Sequence, residues 1–229
     1  MKLTNRLLKI ASLVSRNKRL ADIGTDHGYI PLYLLNKRII DFAILADINE
    51  GPLENARSEV KKNGLDDKVD LRLGSGIEVL KKGEVDEIII AGMGGILIGE
   101  LLEANKDVSH SVDKLILQPM QAQEKLRQYL LNNGYEILDE CLEKEDFRFY
   151  EIIVAKYSGK NTQIDDNIYY EVGKKLIENK DKLLPEFIDN KIKKYNNIIS
   201  RLADKDSKVV IFKRNFANKR IEKLKNLKE

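Results

Sequence analysis

The stretch Leu20-Ala21-Asp22-Ile23-Gly24-Thr25-Asp26-His27-Gly28-Tyr29-Ile30-Pro31 limits the possible folds more than any other part of the chain. An apolar run stops at an acidic residue and a glycine-punctuated turn, and helix-forming residues follow. Arg19 to Ile23 reads as a short buried strand, Gly24 as the pivot of a tight turn, and Gly28 as the close-packing residue where a helix begins. A helix N-terminus there has unpaired amides at the positive end of its dipole, so backbone alone can hold a carboxylate or a phosphate. An ordinary strand–turn–helix with a capping aspartate has the same appearance, so the loop needs a second landmark.

That landmark is Asp47, which ends the apolar run Phe42 to Ala46 twenty-five residues after Asp22. A nucleotide-binding α/β unit places its ribose-holding carboxylate at about this spacing. The loop itself lacks G-x-G-x-x-G: Gly24 and Gly28 are four apart, with Asp26 between them. An acidic loop repels a pyrophosphate. It suits S-adenosylmethionine, whose methionine end joins an ammonium and a sulfonium to a carboxylate. Either Asp22 or Asp26 is placed to hold the ammonium while loop amides hold the carboxylate.

The rest of the chain repeats the strand-then-helix pattern. Leu3, Leu7, Ile10, Ala11 and Val14 predict an amphipathic helix capped by Thr4, leading into the first strand. Asn49 is expected to cap a helix with Pro52 in its first turn, and Val69 to Leu73 is a strand running into Gly74-Ser75-Gly76. Glu87 to Ala91 is the most apolar strand and ends in Gly92-Met93-Gly94-Gly95 before a helix from Ile96 to Asn105. Lys114 to Leu117 ends in Gln118-Pro119-Met120, and a helix from Ala122 to Asn133 is closed by Gly134. Tyr135 to Leu142 and Phe147 to Tyr157 read as a hairpin. This order predicts an α/β fold, a Rossmann-like doubly wound sheet finished by the hairpin usual in class I methyltransferases.

Gly159 to Asp166 is polar and aperiodic, so residues 1–159 form the expected catalytic domain and 160–229 a helical appendage. Ile188, Ile192, Tyr195, Ile199 and Leu202 step at coiled-coil spacing, as do Phe216 or Ala217, Ile221 and Leu224, predicting an antiparallel helix pair. Pro185 is expected to end or kink an earlier helical piece with Val172, Leu176 and Leu183. Val209 to Phe212 is β-prone.

Charge is uneven although the net value is only +3. Residues 160–229 carry 18 basic and 11 acidic side chains, and the first nineteen carry six basic and none acidic. Basic segments bracketing a mildly acidic core suit a polyanionic partner, as well as a merely solvated lysine-rich surface. A single cysteine, Cys141, and two histidines leave no disulfide framework and make a metal site unexpected. No apolar run is long enough to cross a bilayer, and the expected location is the cytoplasm.

Ligands of such sheets bind beyond the carboxyl ends of the strands. Cofactor contacts are therefore expected from Asp22, Gly24, Thr25, Gly28, Asp47, Ile48, Gly74, Ser75, Gly76, Ala91 and Gly92. Amino-group methyltransferases commonly carry a side-chain oxygen and prolines after the fourth strand, where this chain has glycines. An endocyclic nitrogen with a free lone pair fits that absence, because it attacks without prior deprotonation and positioning does most of the work. Asp26, then His27, are the candidates to face the developing cation or take a proton; a capping Asp26 and a plain loop His27 are the competing reading.

Asp22 to Pro31, Ala91-Gly92-Met93-Gly94-Gly95, Gln118-Pro119-Met120 and Arg148-Phe149-Tyr150-Glu151 together resemble the bacterial tRNA (adenine-22-N1)-methyltransferases. The motifs stand in family order over about the first 157 residues; Gly28 departs from a frequent alanine. The resemblance implies S-adenosylmethionine-dependent methylation of adenine N1 in the D-arm region of tRNA, and a C-terminal helical coiled coil. It implies acceptor contacts from Met93, Gly94, Gly95, Gln118, Pro119, Arg148 and Tyr150, with tRNA phosphates gripped by the basic ends of a monomer; a tight strand-to-helix turn at Gly92 to Gly95 and sheet packing of Arg148 and Tyr150 are the competing readings. The rivals are a small-molecule methyltransferase, a non-catalytic RNA-binding protein retaining the cofactor fold and, more weakly, a nicotinamide dehydrogenase.

Overall fold

A computed structural model describes residues 3–203 and 207–228. Lys2, one of the N-terminal cations, lies outside them. The chain divides into two units, Met1–Gln163 and Ile164–Glu229.

The first unit runs α1 (Asn5–Ser12), β1 (Leu20–Ile23), α2 (Tyr29–Asn36), β2 (Ala43–Asp47), α3 (Glu50–Lys62), β3 (Val69–Leu73), β4 (Glu87–Gly94), α4 (Gly95–Ala104), α5 (Lys106–Ser109), β5 (Lys114–Gln121), α6 (Gln123–Asn132), β6 (Tyr135–Glu145) and β7 (Arg148–Tyr157). The seven strands are ordered β3-β2-β1-β4-β5-β7-β6. The first five are parallel, and β7 inserts antiparallel between β5 and β6. Chain order reverses beside β1, so the ends of β1 and β4 form the crevice where such sheets bind ligands.

Side-chain alternation along the strands builds two apolar layers. Ala21, Ile23, Ile44, Ala46, Ile88 and Ile90 face Ile98 and Leu102 of α4 and Leu126 and Leu130 of α6. Leu20, Ala43, Leu45 and Ile89 pack instead with Ile10 of α1, Leu32 of α2 and Val60 of α3. Sheet strands buried on both faces explain why these runs are uniformly apolar. The hairpin is tied down by a buried ion triad, Arg127 Nε to Glu140 at 2.7 Å and Nη2 to Glu151 at 2.8 Å.

Several expected boundaries move. β4 and β5 run on through Gly94 and Gln121, because they stay paired across two bulges after Ala91. The hairpin strands meet at a turn of only Asp146 and Phe147. Asn49 sits at the start of α3 but its side chain makes no capping bond; its backbone N donates to Asp47 Oδ1 at 2.9 Å. The first unit extends to Gln163, past residue 159, because Ser158 and Gly159 amides bond Gly134 and the Thr162 amide bonds Leu131.

The second unit holds α7 (Ile168–Glu171), α8 (Lys174–Glu178), α9 (Leu184–Arg201) and α10 (Lys208–Asn226). Pro185 begins a helix rather than ending one: it lies in the first turn of α9, where its missing N–H costs nothing. Val209 to Phe212 is helical, started by the Ser207 hydroxyl, which accepts from the Val210 amide. Lys228 reaches Asp189 at 2.7 Å and the Phe216 ring meets Tyr195 at 6.5 Å, so α9 and α10 run antiparallel. Ile188, Ala217 and Leu224 are buried.

Candidate active site

Gly24 and Thr25 both donate backbone N–H to the Ala46 carbonyl, at 2.8 and 3.1 Å, so the loop after β1 is laced across the end of β2. Asp47 follows that carbonyl directly. Gly24 has φ +74° and Gly28, at the start of α2, has φ +67°. A side chain at Gly28 would also meet the tip of the buried Leu45 side chain, which would have to shift, so the left-handed backbone and the close contact both favour glycine there.

Asp22 is buried, and the Thr25 hydroxyl donates to its Oδ2 at 2.7 Å. Burial raises its pKa to about 6, against the pull of the Thr25 hydroxyl and with help from the Asp47 charge. Asp26 is exposed, with Oδ2 3.5 Å from His27 Nε2, and the His27 ring stacks on Tyr29 at 4.8 Å between centroids. Asp26 makes no capping bond: the residue that starts α2 is Gly28. The capping reading therefore falls for Asp26.

A cavity of about 400 Å³ opens here, lined by Asp22, Gly24, Thr25, Asp26, His27, Gly28, Tyr29, Ile30, Ala91 and Gly92, and by Arg6 and Leu7 of α1. Asp47, Ile48, Gly74, Ser75 and Gly76 gather at the neighbouring ends of β2 and β3, where the Gly74 amide bonds the Asp47 carbonyl at 2.9 Å. Asp47 Oδ1 is engaged by Asn49.

The expected acceptor residues divide. The Met93 side chain folds onto Gly24, the space a Cβ there would take. Gly95 is buried with its Cα against the Ala122 carbonyl, a backbone approach that any side chain would block, and it borders a separate apolar cavity beside Gly99 and Tyr129. Gly94 faces the Gln121 side chain. Gln118 and Pro119 are buried and Arg148 is exposed.

Residues 3–153 match the family described as a methyltransferase domain. The tRNA (adenine(22)-N(1))-methyltransferase of Bacillus subtilis (strain 168) is 39% identical over 165 residues, which is 72% of this chain and 69% of that protein. The chain belongs to the tRNA (adenine-22-N1)-methyltransferase family. The crystal structure of the B. subtilis m1A22 tRNA methyltransferase TrmK superposes with a TM-score of 0.88 at 32% identity, covering 100% of this chain and 99% of that one. M. capricolum TrmK, solved with S-adenosylhomocysteine, gives 0.85 at 26% identity over 98% and 99% of the two chains.

One residue lining this cavity escaped the sequence reading. Arg6 counted only as one cation of a basic helix, yet it lines the cavity. Its Nη1 donates to Gln118 Oε1 at 2.7 Å, its guanidinium lies 5.1 Å from the Tyr150 ring centroid, and its backbone N donates to Glu145 Oε1 at 2.8 Å. Gln118 and Tyr150 thus position Arg6. Its Nε is buried without a partner among the described residues. The signal was present: Arg6 lies three after Leu3 and four before Ile10, inside the apolar stripe of α1.

Proposed function

We propose that this chain transfers the methyl group of S-adenosylmethionine to N1 of adenine 22, in the D-arm region of tRNA. The observation that carries this reading is the charge pattern of the cavity: the Arg6 guanidinium and the buried Asp22 carboxylate line one space. That pairing matches the zwitterionic amino-acid end of the cofactor and fits neither a pyrophosphate nor an apolar ligand. Asp22 would hold the ammonium, Arg6 the carboxylate, and Asp47 the ribose hydroxyls.

Bound S-adenosylmethionine supplies an electrophilic methyl on a sulfonium. The chain's part is placement and electrostatics. Adenine N1 has an in-plane lone pair and carries no proton to remove, so no general base is needed to start. As N1 forms its new bond the ring gains positive charge, which Asp26 at the cavity rim is placed to stabilise. Gly92, with φ +85° and open space where a Cβ would stand, lets the base approach the backbone.

The second unit supplies the grip on RNA. α10 carries seven basic side chains and one acidic, a phosphate-binding pattern. The test is transfer of labelled methyl to unmodified tRNA, compared with adenine, adenosine and AMP. Label in tRNA alone supports the reading, and equal label in the free nucleoside overturns it.

A further inference from the structure

Adenine N1 lies on the pairing edge of the base, where it accepts the hydrogen bond of a Watson–Crick partner. An enzyme that methylates N1 in a stem must take the base out of its pair and stack, leaving a gap. Proteins that open stacked nucleic acid commonly insert an apolar side chain into the step.

The hairpin of this chain is placed to do so. The last described pair between β7 and β5 is Ile153 with Leu117, whereas the β6–β7 ladder continues to Glu145 with Arg148. Six further residues at about 3.4 Å each carry the hairpin tip about 20 Å beyond Leu117; β5 itself runs on to Gln121, so the tip stands roughly 7 Å past the carboxyl end of β5. That is the edge of the sheet where the cavity opens. Arg6 fixes the overhang to the cavity, bonding Glu145 and covering Tyr150 while lining the cavity itself.

At the tip stands Phe147, 84% exposed, the highest value among the exposed large hydrophobic side chains of the described residues. Asp146 before it has φ +53°, a left-handed turn that aspartate tolerates. Arg148 after it is exposed as well.

We propose that Phe147 enters the RNA stack at the place vacated by the target adenine, with Arg148 on the adjoining phosphate. This rests on the tRNA reading above and assigns the residue that makes a paired adenine accessible.

The test uses the full chain and two unmodified tRNA transcripts, one with the target adenine paired and one with an abasic site opposite it. Phe147→Ala should lower kcat/KM on the paired transcript about tenfold or more, since unstacking costs a few kcal/mol. Activity should recover largely on the abasic transcript and in Phe147→Trp, with S-adenosylhomocysteine affinity unchanged as the control for folding. A wild-type rate in Phe147→Ala would overturn the proposal, and so would an equal loss on both transcripts, which would mark a simple lost contact. Wild-type protein inactive on every tRNA would instead defeat the functional reading, whatever Phe147 does.

Discussion

Acidification should weaken cofactor binding through one group, Asp22. Burial lifts its pKa from 3.8 to about 6, so the free protein holds that proton more tightly than the unfolded chain does. At roughly 1.4 kcal/mol per unit, keeping Asp22 ionised in the empty fold costs about 3 kcal/mol. The stability gained from the tighter proton is complete below 3.8 and is lost as pH rises through about 6. An ammonium ligand has the opposite preference, because it needs the carboxylate ionised. Affinity for S-adenosylhomocysteine should therefore be flat above about pH 7 and fall about tenfold per unit below about pH 6. Methylthioadenosine, which lacks the amino-acid end, should show no such break. Asp22→Asn should remove the break and weaken S-adenosylhomocysteine at neutral pH by about tenfold or more. Titration calorimetry between about pH 5 and pH 8 reads all three. A flat profile for S-adenosylhomocysteine would refute the role of Asp22. Persistence of the same break in Asp22→Asn would refute it equally.

Arg6→Met should weaken S-adenosylhomocysteine by about tenfold or more, the cost of a lost charge-assisted pair, and leave methylthioadenosine unchanged; equal weakening of both would show only a damaged cavity. Asp26→Asn should lower kcat on tRNA by about tenfold or more with little change in S-adenosylhomocysteine affinity, and a normal kcat would remove Asp26 from the mechanism. Gly28→Ala should lower unfolding stability by about 1–3 kcal/mol in urea, from the left-handed φ and the contact with Leu45; an unchanged midpoint would contradict the geometry. Replacing Lys213 and Lys219 of α10 by Gln should reduce the salt slope of tRNA binding by about 0.9 per lost phosphate contact without touching cofactor affinity, and an unchanged slope would place the RNA elsewhere.

The sheet was readable in advance because its central strands are buried on both faces and break near acids or glycines: Asp47 ends β2 and Gly24 follows the last residue of β1, whereas β4 runs past Gly92 to Gly94. What escaped depends on partners distant in sequence. Arg6 looked like surface charge because Gln118 and Tyr150, which hold it, stand more than a hundred residues away. Gly95 looked like an acceptor platform, although its lack of a side chain serves the close approach of Ala122. Pro185 was ambiguous in principle, since a proline that opens a helix and one that closes it are the same residue. Val209 to Phe212 has strand propensity that the Ser207 cap and the pairing of α10 with α9 override. The motif Arg148 to Glu151 serves three ends: Arg148 is exposed, Tyr150 lies under Arg6, and Glu151 is buried on Arg127.

The most direct test of the account is to incubate the full chain with methyl-labelled S-adenosylmethionine and an unmodified tRNA transcript, then digest the RNA and map the label by mass spectrometry. The account predicts N1-methyladenosine at position 22 and loss of label when that adenine is replaced by another base. Methylation at another atom or position, or none in any tRNA by protein that binds S-adenosylhomocysteine, would contradict it.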